Sequence, residues 1–138
     1  GELGNKGLVF KSRSDLSYFS YAFAWAYEKT FGQVADSKYL GDTKTIQSAK
    51  DAANDQLGIT KDEKVLYLSE CAVRQKQRER GYGSGFVESI RQTANRKRIK
   101  LILRTLEGSS MAKICDGIGL KRINFKDNID PKRILFSS

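Results

Sequence analysis

The chain has 138 residues, 25 Lys and Arg against 16 Asp and Glu for a net charge of +9, and no histidine. That length is one domain by the usual prior and can bury a core without staples. The 39% hydrophobic content marks a globular protein rather than a disordered one. Absence of His removes Ser-His-Asp and Cys-His catalysis, and two thiols 44 positions apart, Cys71 and Cys115, make neither a zinc site nor a disulfide framework. No metal site is expected. No apolar run approaches the ~18 residues of a membrane span, and no leader pattern is visible. The expectation is a cytoplasmic protein without a membrane partner. The charge is uneven: residues 1–70 sum to −1 and residues 71–138 to +10. A basic half suits a polyanionic partner, which a phosphorylated cofactor, a nucleic acid or an anionic surface would each satisfy.

Gly7 to Lys11 reads as a short strand after a polar turn. Leu16 to Thr30 is ambiguous: Phe19, Tyr21, Phe23, Trp25 and Tyr27 alternate as in a strand, with Ala22, Ala24 and Ala26 between them. Because Ala is a good helix former and a poor strand former, this stretch is predicted helical, with Asp15 near its cap. Residues 32–43 read as loop. Thr45 to Leu57 is an amphipathic helix with Ile46, Ala49, Ala53 and Leu57 on one face and Gly58 as its stop.

Val65 to Val73 is a strand of apolar character, buried on both faces. A helix follows with Phe86, Val87, Ile90 and Ala94 on one face, and Arg96, Lys97 and Arg98 suit its C-terminal dipole. Ile99 to Thr105 is the next strand. Ser109 or Ser110 caps a helix whose Met111, Ile114, Cys115 and Ile118 share a face, and Gly119 ends it. Leu120 to Phe125 and Arg133 to Phe136 are two final strands across a polar turn.

The chemistry centres on Val73 to Gly85, a glycine-bearing turn between a buried strand and an amphipathic helix. The first N–H groups of a helix have no partner within it and point outward, where the dipole favours an anion. Glycines let backbone approach a phosphate closely. Gly-Lys-Ser/Thr is absent, so this is no Walker A loop, and Phe86 stands where a dinucleotide fingerprint starting at Gly81 needs Gly or Ala.

The segment resembles the acyl-CoA pyrophosphate loop of the GNAT acetyltransferases, [Q/R]-x-x-G-x-[G/A], at Arg78, Gly81 and Gly83, with Val73 at the apolar end of the family's fourth strand. Downstream, Thr105 and Gly119 match the family pattern, while Gly108, Met111 and Cys115 stand at its Asn, Ala and Tyr positions and Leu120 replaces a Phe. The resemblance covers roughly residues 60–138. It implies an α/β (α+β) fold with a mixed, mostly antiparallel sheet flanked by helices. The whole chain is then one acyl-CoA N-acyltransferase domain, with 60–138 the cofactor-binding core and 1–58 an atypical or inserted helical part. On that reading the chain is either a C-terminal piece of a longer protein or one whose front half is rebuilt.

The resemblance implies direct transfer from acetyl-CoA to an amine in a ternary complex, the thioester supplying the activation. Arg78, Glu79, Arg80, Gly81, Tyr82, Gly83 and Ser84 would bind pyrophosphate, and the backbone of Cys71, Ala72 and Val73 the pantetheine arm, with the Val73 N–H polarising the acyl carbonyl. Glu70 is the candidate general base, ahead of Asp15 and Glu28. Cys115 is the candidate general acid, although a free Cys on an apolar helix face is more often core. The aromatic stretch would line a pocket or, more often, pack in a core. A homodimer stays open. Two other readings also stay open: a nucleic-acid-binding module using Arg96 to Lys100, and an acyl-CoA binder with little catalysis. The first is less favoured because CoA phosphates already account for the charge.

Overall fold

The computed structural model of the chain describes residues 2–3, 7–13, 20–36, 41–73 and 82–138. Its strands are β1 (Glu2–Leu3), β2 (Gly7–Arg13), β3 (Ser20–Thr30), β4 (Lys64–Val73), β5 (Lys100–Leu106), β6 (Lys121–Ile123) and β7 (Arg133–Ser137). The helices are α1 (Phe31–Ala35), α2 (Thr43–Leu57), α3 (Tyr82–Arg96) and α4 (Ser110–Gly117). All seven described strands form one sheet in the order β1-β2-β3-β4-β5-β7-β6. Each neighbouring pair is antiparallel except β4 with β5, which is parallel. This is the mixed, mostly antiparallel sheet flanked by helices that the sequence implied.

Two apolar layers hold the helices to the sheet. Phe86, Val87, Ile90 and Ala94 of α3, with Ala112 and Cys115 of α4, cover Leu66, Leu68, Leu101, Leu103 and Phe136 on one face. Val34 and Ala35 of α1, with Ala49 and Ala53 of α2, cover Val65, Tyr67, Ile102 and Leu135 on the other. Helix ends follow their sequence signals. Asp42 caps α2 by accepting from the Thr45 N–H at 2.9 Å, and Gly58 closes it in the left-handed region at φ 67°. Ser109 caps α4 through the Ala112 N–H.

The helix expected over Leu16 to Thr30 is instead the eleven-residue strand β3 from Ser20 onward; residues 14–19 lie outside the described part. Alternation outweighed alanine's propensity for a packing reason. Ala24 and Ala26 are fully buried beneath α3, while Trp25 between them is 39% exposed on the opposite face. What a strand position rewards is packing in its layer, so burial of these alanines outweighs their helix propensity. Among the described residues before β4, the helices are α1 and α2, between β3 and β4.

The helix α1 was expected as loop. Its five residues are held by a reciprocal cap, in which the Gln33 N–H donates to Thr30 Oγ1 and the Thr30 N–H to Gln33 Oε1. Gly32 donates to the Lys61 carbonyl at 2.7 Å, where a Cβ would approach that oxygen to 2.9 Å.

Strand β6 is shorter than the expected Leu120 to Phe125 because the chain leaves the sheet to bond α2. Asn124 exchanges two hydrogen bonds with Gln56, the Lys126 N–H donates to Ser48 Oγ and the Asn128 N–H to Thr45 Oγ1. Asp127 closes this loop. Its carboxylate accepts from the Ile129 and Asp130 amides and from Arg133 Nε at 2.5 Å, with only 2% of the Asp127 side chain exposed. Burial alone would raise the Asp127 pKa, but the Arg133 and backbone hydrogen bonds hold it below the usual carboxylate range.

A depressed folded-state pKa gives stability that is complete above the unfolded carboxyl value of about 4 and is lost as pH falls through the lower folded one. Asp127→Asn should therefore cost about 3 kcal/mol in urea unfolding at pH 7, since it leaves a nearly buried guanidinium facing an amide. The gap between variant and wild type should close as the pH is stepped below 4.

Candidate functional site

The parallel pairing of β4 and β5 runs only from Val65↔Lys100 to Leu68↔Leu103. Both strands continue, β4 to Val73 and β5 to Leu106, without further pairing to each other. The sheet is thus forked at the C-terminal ends of its two central strands. A register shift against β3 coincides with the fork: Ala26 faces Leu68 and Trp25 faces Glu70, leaving Ser69 as the extra residue. A bulge of this kind bends its strand and increases the local twist. Strand backbone directs its N–H and C=O groups alternately to either side, so β4 past Leu68 offers hydrogen-bonding groups toward the fork.

One side of the fork carries the start of α3. Its first turn has a buried Gly83 and a half-buried Ser84, with no acidic side chain to oppose an anion. The other side, on the α1 and α2 face, holds a cavity of about 330 Å³ lined by Tyr67, Ser69, Arg104, Thr105, Leu106 and Arg133. Tyr67 is nearly buried, and the Arg104 guanidinium lies over its ring at 5.4 Å. Thr105 Oγ1 and the α4 cap Ser109 Oγ are 2.7 Å apart, which ties the end of β5 to α4. Arg133 reaches the cavity from β7 while held by Asp127.

Of the residues singled out from sequence, Glu70, Cys71, Ala72 and Val73 form the β4 arm of the fork, and Tyr82, Gly83 and Ser84 form the first turn of α3. The side chains of Glu70, Ala72, Val73 and Tyr82 lie outside the described part, as do Arg78, Glu79, Arg80 and Gly81 entirely. Glu28, the weaker base candidate, is paired with Lys97 at 3.1 Å at the far end of α3; Asp15 lies outside the described residues. In the basic run, Lys97 is so paired and Lys100 is 3.5 Å from Glu63. The cavity residues Tyr67, Ser69, Arg104 and Arg133 were missed as a site. Their signal was Ser69 and Arg104, polar side chains that interrupt otherwise apolar strands.

Neither a protein-family model nor a curated protein matches the sequence. Among solved structures the chain is similar to Arabidopsis thaliana NAA60 in complex with a bisubstrate analogue, at 12% identity and TM-score 0.62 over 98% of this chain and 76% of that one. It is similar also to NAA60 in complex with acetyl-CoA, at 13% identity and TM-score 0.57 over 91% and 70%. A third is mosquito arylalkylamine N-acetyltransferase like 5b, at 11% identity and TM-score 0.57 over 86% and 68%. These are GNAT acetyltransferases, and the chain has the GNAT fold. Among the described residues, no helix is long and apolar enough to cross a membrane.

Within this fold the two thiols differ in access. Cys71 is half-buried against the α3 layer, and burial pushes its pKa up to about 11. Cys115 has no exposed surface and belongs to the core cluster; burial, then the nearby Asp116 and Cys71, push its pKa up to about 12. That placement matches the packing role of a small apolar residue more closely than a proton donor in the fork. In the native protein at pH 7, iodoacetamide should leave Cys115 unlabelled and modify it only in denaturant, with Cys71 reacting slowly by comparison with a free thiol. Peptide mass mapping after a time course reads both rates.

Proposed function

We propose that the chain is an N-acetyltransferase that moves an acetyl group from acetyl-CoA to an amine by direct attack in a ternary complex. The observation that carries this reading is the fork: a parallel strand pair that separates beside a helix N-terminus, with a cavity on the opposite face of the sheet. Ligands of open α/β sheets bind beyond the carboxyl ends of such strands. Likeness to structures that hold acetyl-CoA and a bisubstrate analogue supports the same cosubstrate here.

In this reading the turn from Arg78 to Ser84 takes the pyrophosphate, and the pantetheine arm lies along Cys71, Ala72 and Val73 at the fork. The acyl group then reaches the cavity face, where the amine enters. The amine nitrogen bonds to the acyl carbon as the C–S bond breaks. The Val73 N–H polarises the carbonyl oxygen. Glu70 takes the ammonium proton, directly or through water; the second proton that the nitrogen loses as the amide forms passes to solvent, from which the departing CoA thiolate is protonated. This reading takes residues 1–138 as one domain, which the single sheet of the described strands supports.

Two experiments test this. Ser84→Glu adds a carboxylate in the first turn of α3, where it favours the helix but repels a pyrophosphate. Calorimetry should show micromolar acetyl-CoA binding by wild type and at least ten-fold weaker binding by Ser84→Glu, with Tm unchanged or raised. Absence of acetyl-CoA binding by folded wild type sinks the proposal. Glu70→Gln should lower kcat for amine acetylation by about 100-fold or more while acetyl-CoA affinity holds, as expected for loss of a general base. An unaltered kcat would remove Glu70 from that role.

A further inference from the structure

We propose that the cavity beside the fork selects an amine that also carries a carboxylate, with Arg104 as the group that receives it; this rests on the acetyltransferase reading of the same site. The six residues lining the cavity include two cations, Arg104 and Arg133, and no carboxylate. Arg133 is held by the nearly buried Asp127 through two hydrogen bonds, at 2.5 and 2.7 Å, so its charge is largely balanced at the rim. Arg104 is the first residue of β5 beyond the last one paired with β4, so its backbone begins the open arm of the fork.

The Arg104 guanidinium is stacked on Tyr67, which fixes its plane. Stacking uses the face of the group and leaves its N–H donors directed in plane. A guanidinium has five such donors in a rigid fork, so one partner does not exhaust it, and the geometry matches a carboxylate edge-on. The remaining walls come from the Tyr67 ring and Leu106 together with Ser69 and Thr105, so apolar surface and hydroxyls flank the Arg104 position. A volume of about 330 Å³ suffices for an amino acid-sized molecule, and the two cations in the lining disfavour a polyamine. The acceptor is thus a compact amino acid-like molecule whose amine faces the thioester and whose carboxylate faces β5.

The test uses matched pairs: amino acids with small side chains, the same compounds as carboxamides, and the corresponding amines without either group. Wild type should favour the acid over its amide by ten-fold or more in kcat/KM, read by CoA release. The acids alone should bind detectably in calorimetry, where their amides do not. In Arg104→Gln the acid-to-amide ratio should fall toward one. Arg104→Lys, which keeps the charge but not the planar fork, should give an intermediate ratio and guards against a folding defect in the first variant. Equal treatment of acids and amides by wild type, in both rate and binding, overturns the proposal even if acetyl-CoA binds and amines are acetylated. Failure of acetyl-CoA to bind overturns the acetyltransferase reading instead, and the calorimetric comparison of acid with amide then decides the anion preference separately.

Discussion

Parallel pairing of β4 with β5 is the constraint from which the site follows. Two parallel neighbours cannot be joined by a tight turn, so the chain must cross one face of the sheet between them, and α3 is that crossing. The crossing begins where β4 ends, which brings the first turn of α3 to the carboxyl end of the parallel pair. Because β7 then pairs antiparallel along β5 from Ile102 to Leu106, β5 is drawn away from β4 just as the Ser69 bulge bends β4. Antiparallel neighbours on both sides are satisfied, and the gap opens between the two strands that share only four residue pairs.

The two helical layers serve the fork in different ways. On the α3 face, Ala24 and Ala26 belong to the same buried layer, and Leu66, Leu68, Leu101 and Leu103 seat the helix over the paired part of the strands. On the opposite face, α1 and α2 cover Val65, Tyr67, Ile102 and Leu135 but leave Ser69 and Leu106 exposed. The cavity is where that cover stops. Its outer wall depends on a distant contact, since Arg133 is aimed by Asp127 and the loop carrying Asp127 is bonded to Thr45, Ser48 and Gln56 of α2. Packing of α2 and the shape of the cavity are therefore one problem.

The order of strand, helix and strand over Val65 to Thr105 could be read from the residues, because continuous apolar strands and a 3.6-residue helical stripe are both local signals. The caps at Ser109, Gly58 and Gly119 were equally local. Leu16 to Thr30 failed because two local signals conflicted there, and the decision belonged to what covers the alanines, a contact with α3 more than 50 positions away. The Ser69 bulge and the end of the β4–β5 ladder at Leu68 and Leu103 had no local signal at all. They are properties of register between strands, and with them went the cavity, whose lining comes from β4, β5 and β7.

The position of charge narrows what the fork can hold. Five cations of the basic half are paired locally: Arg91 with Glu88, Lys97 with Glu28, Lys100 with Glu63, Arg122 with Glu107 and Asp116, and Arg133 with Asp127. The Arg122 cluster shows how complete this pairing can be, because the guanidinium holds both carboxyls below their ordinary range and also sits over the Phe136 ring. In the sequence, Arg74, Lys76, Arg78 and Arg80 fall within seven consecutive residues that contain one acid, Glu79. A long nucleic acid would draw on cations spread over a face. Four cations so closely spaced in sequence are compatible with the compact polyanion of the proposed reading.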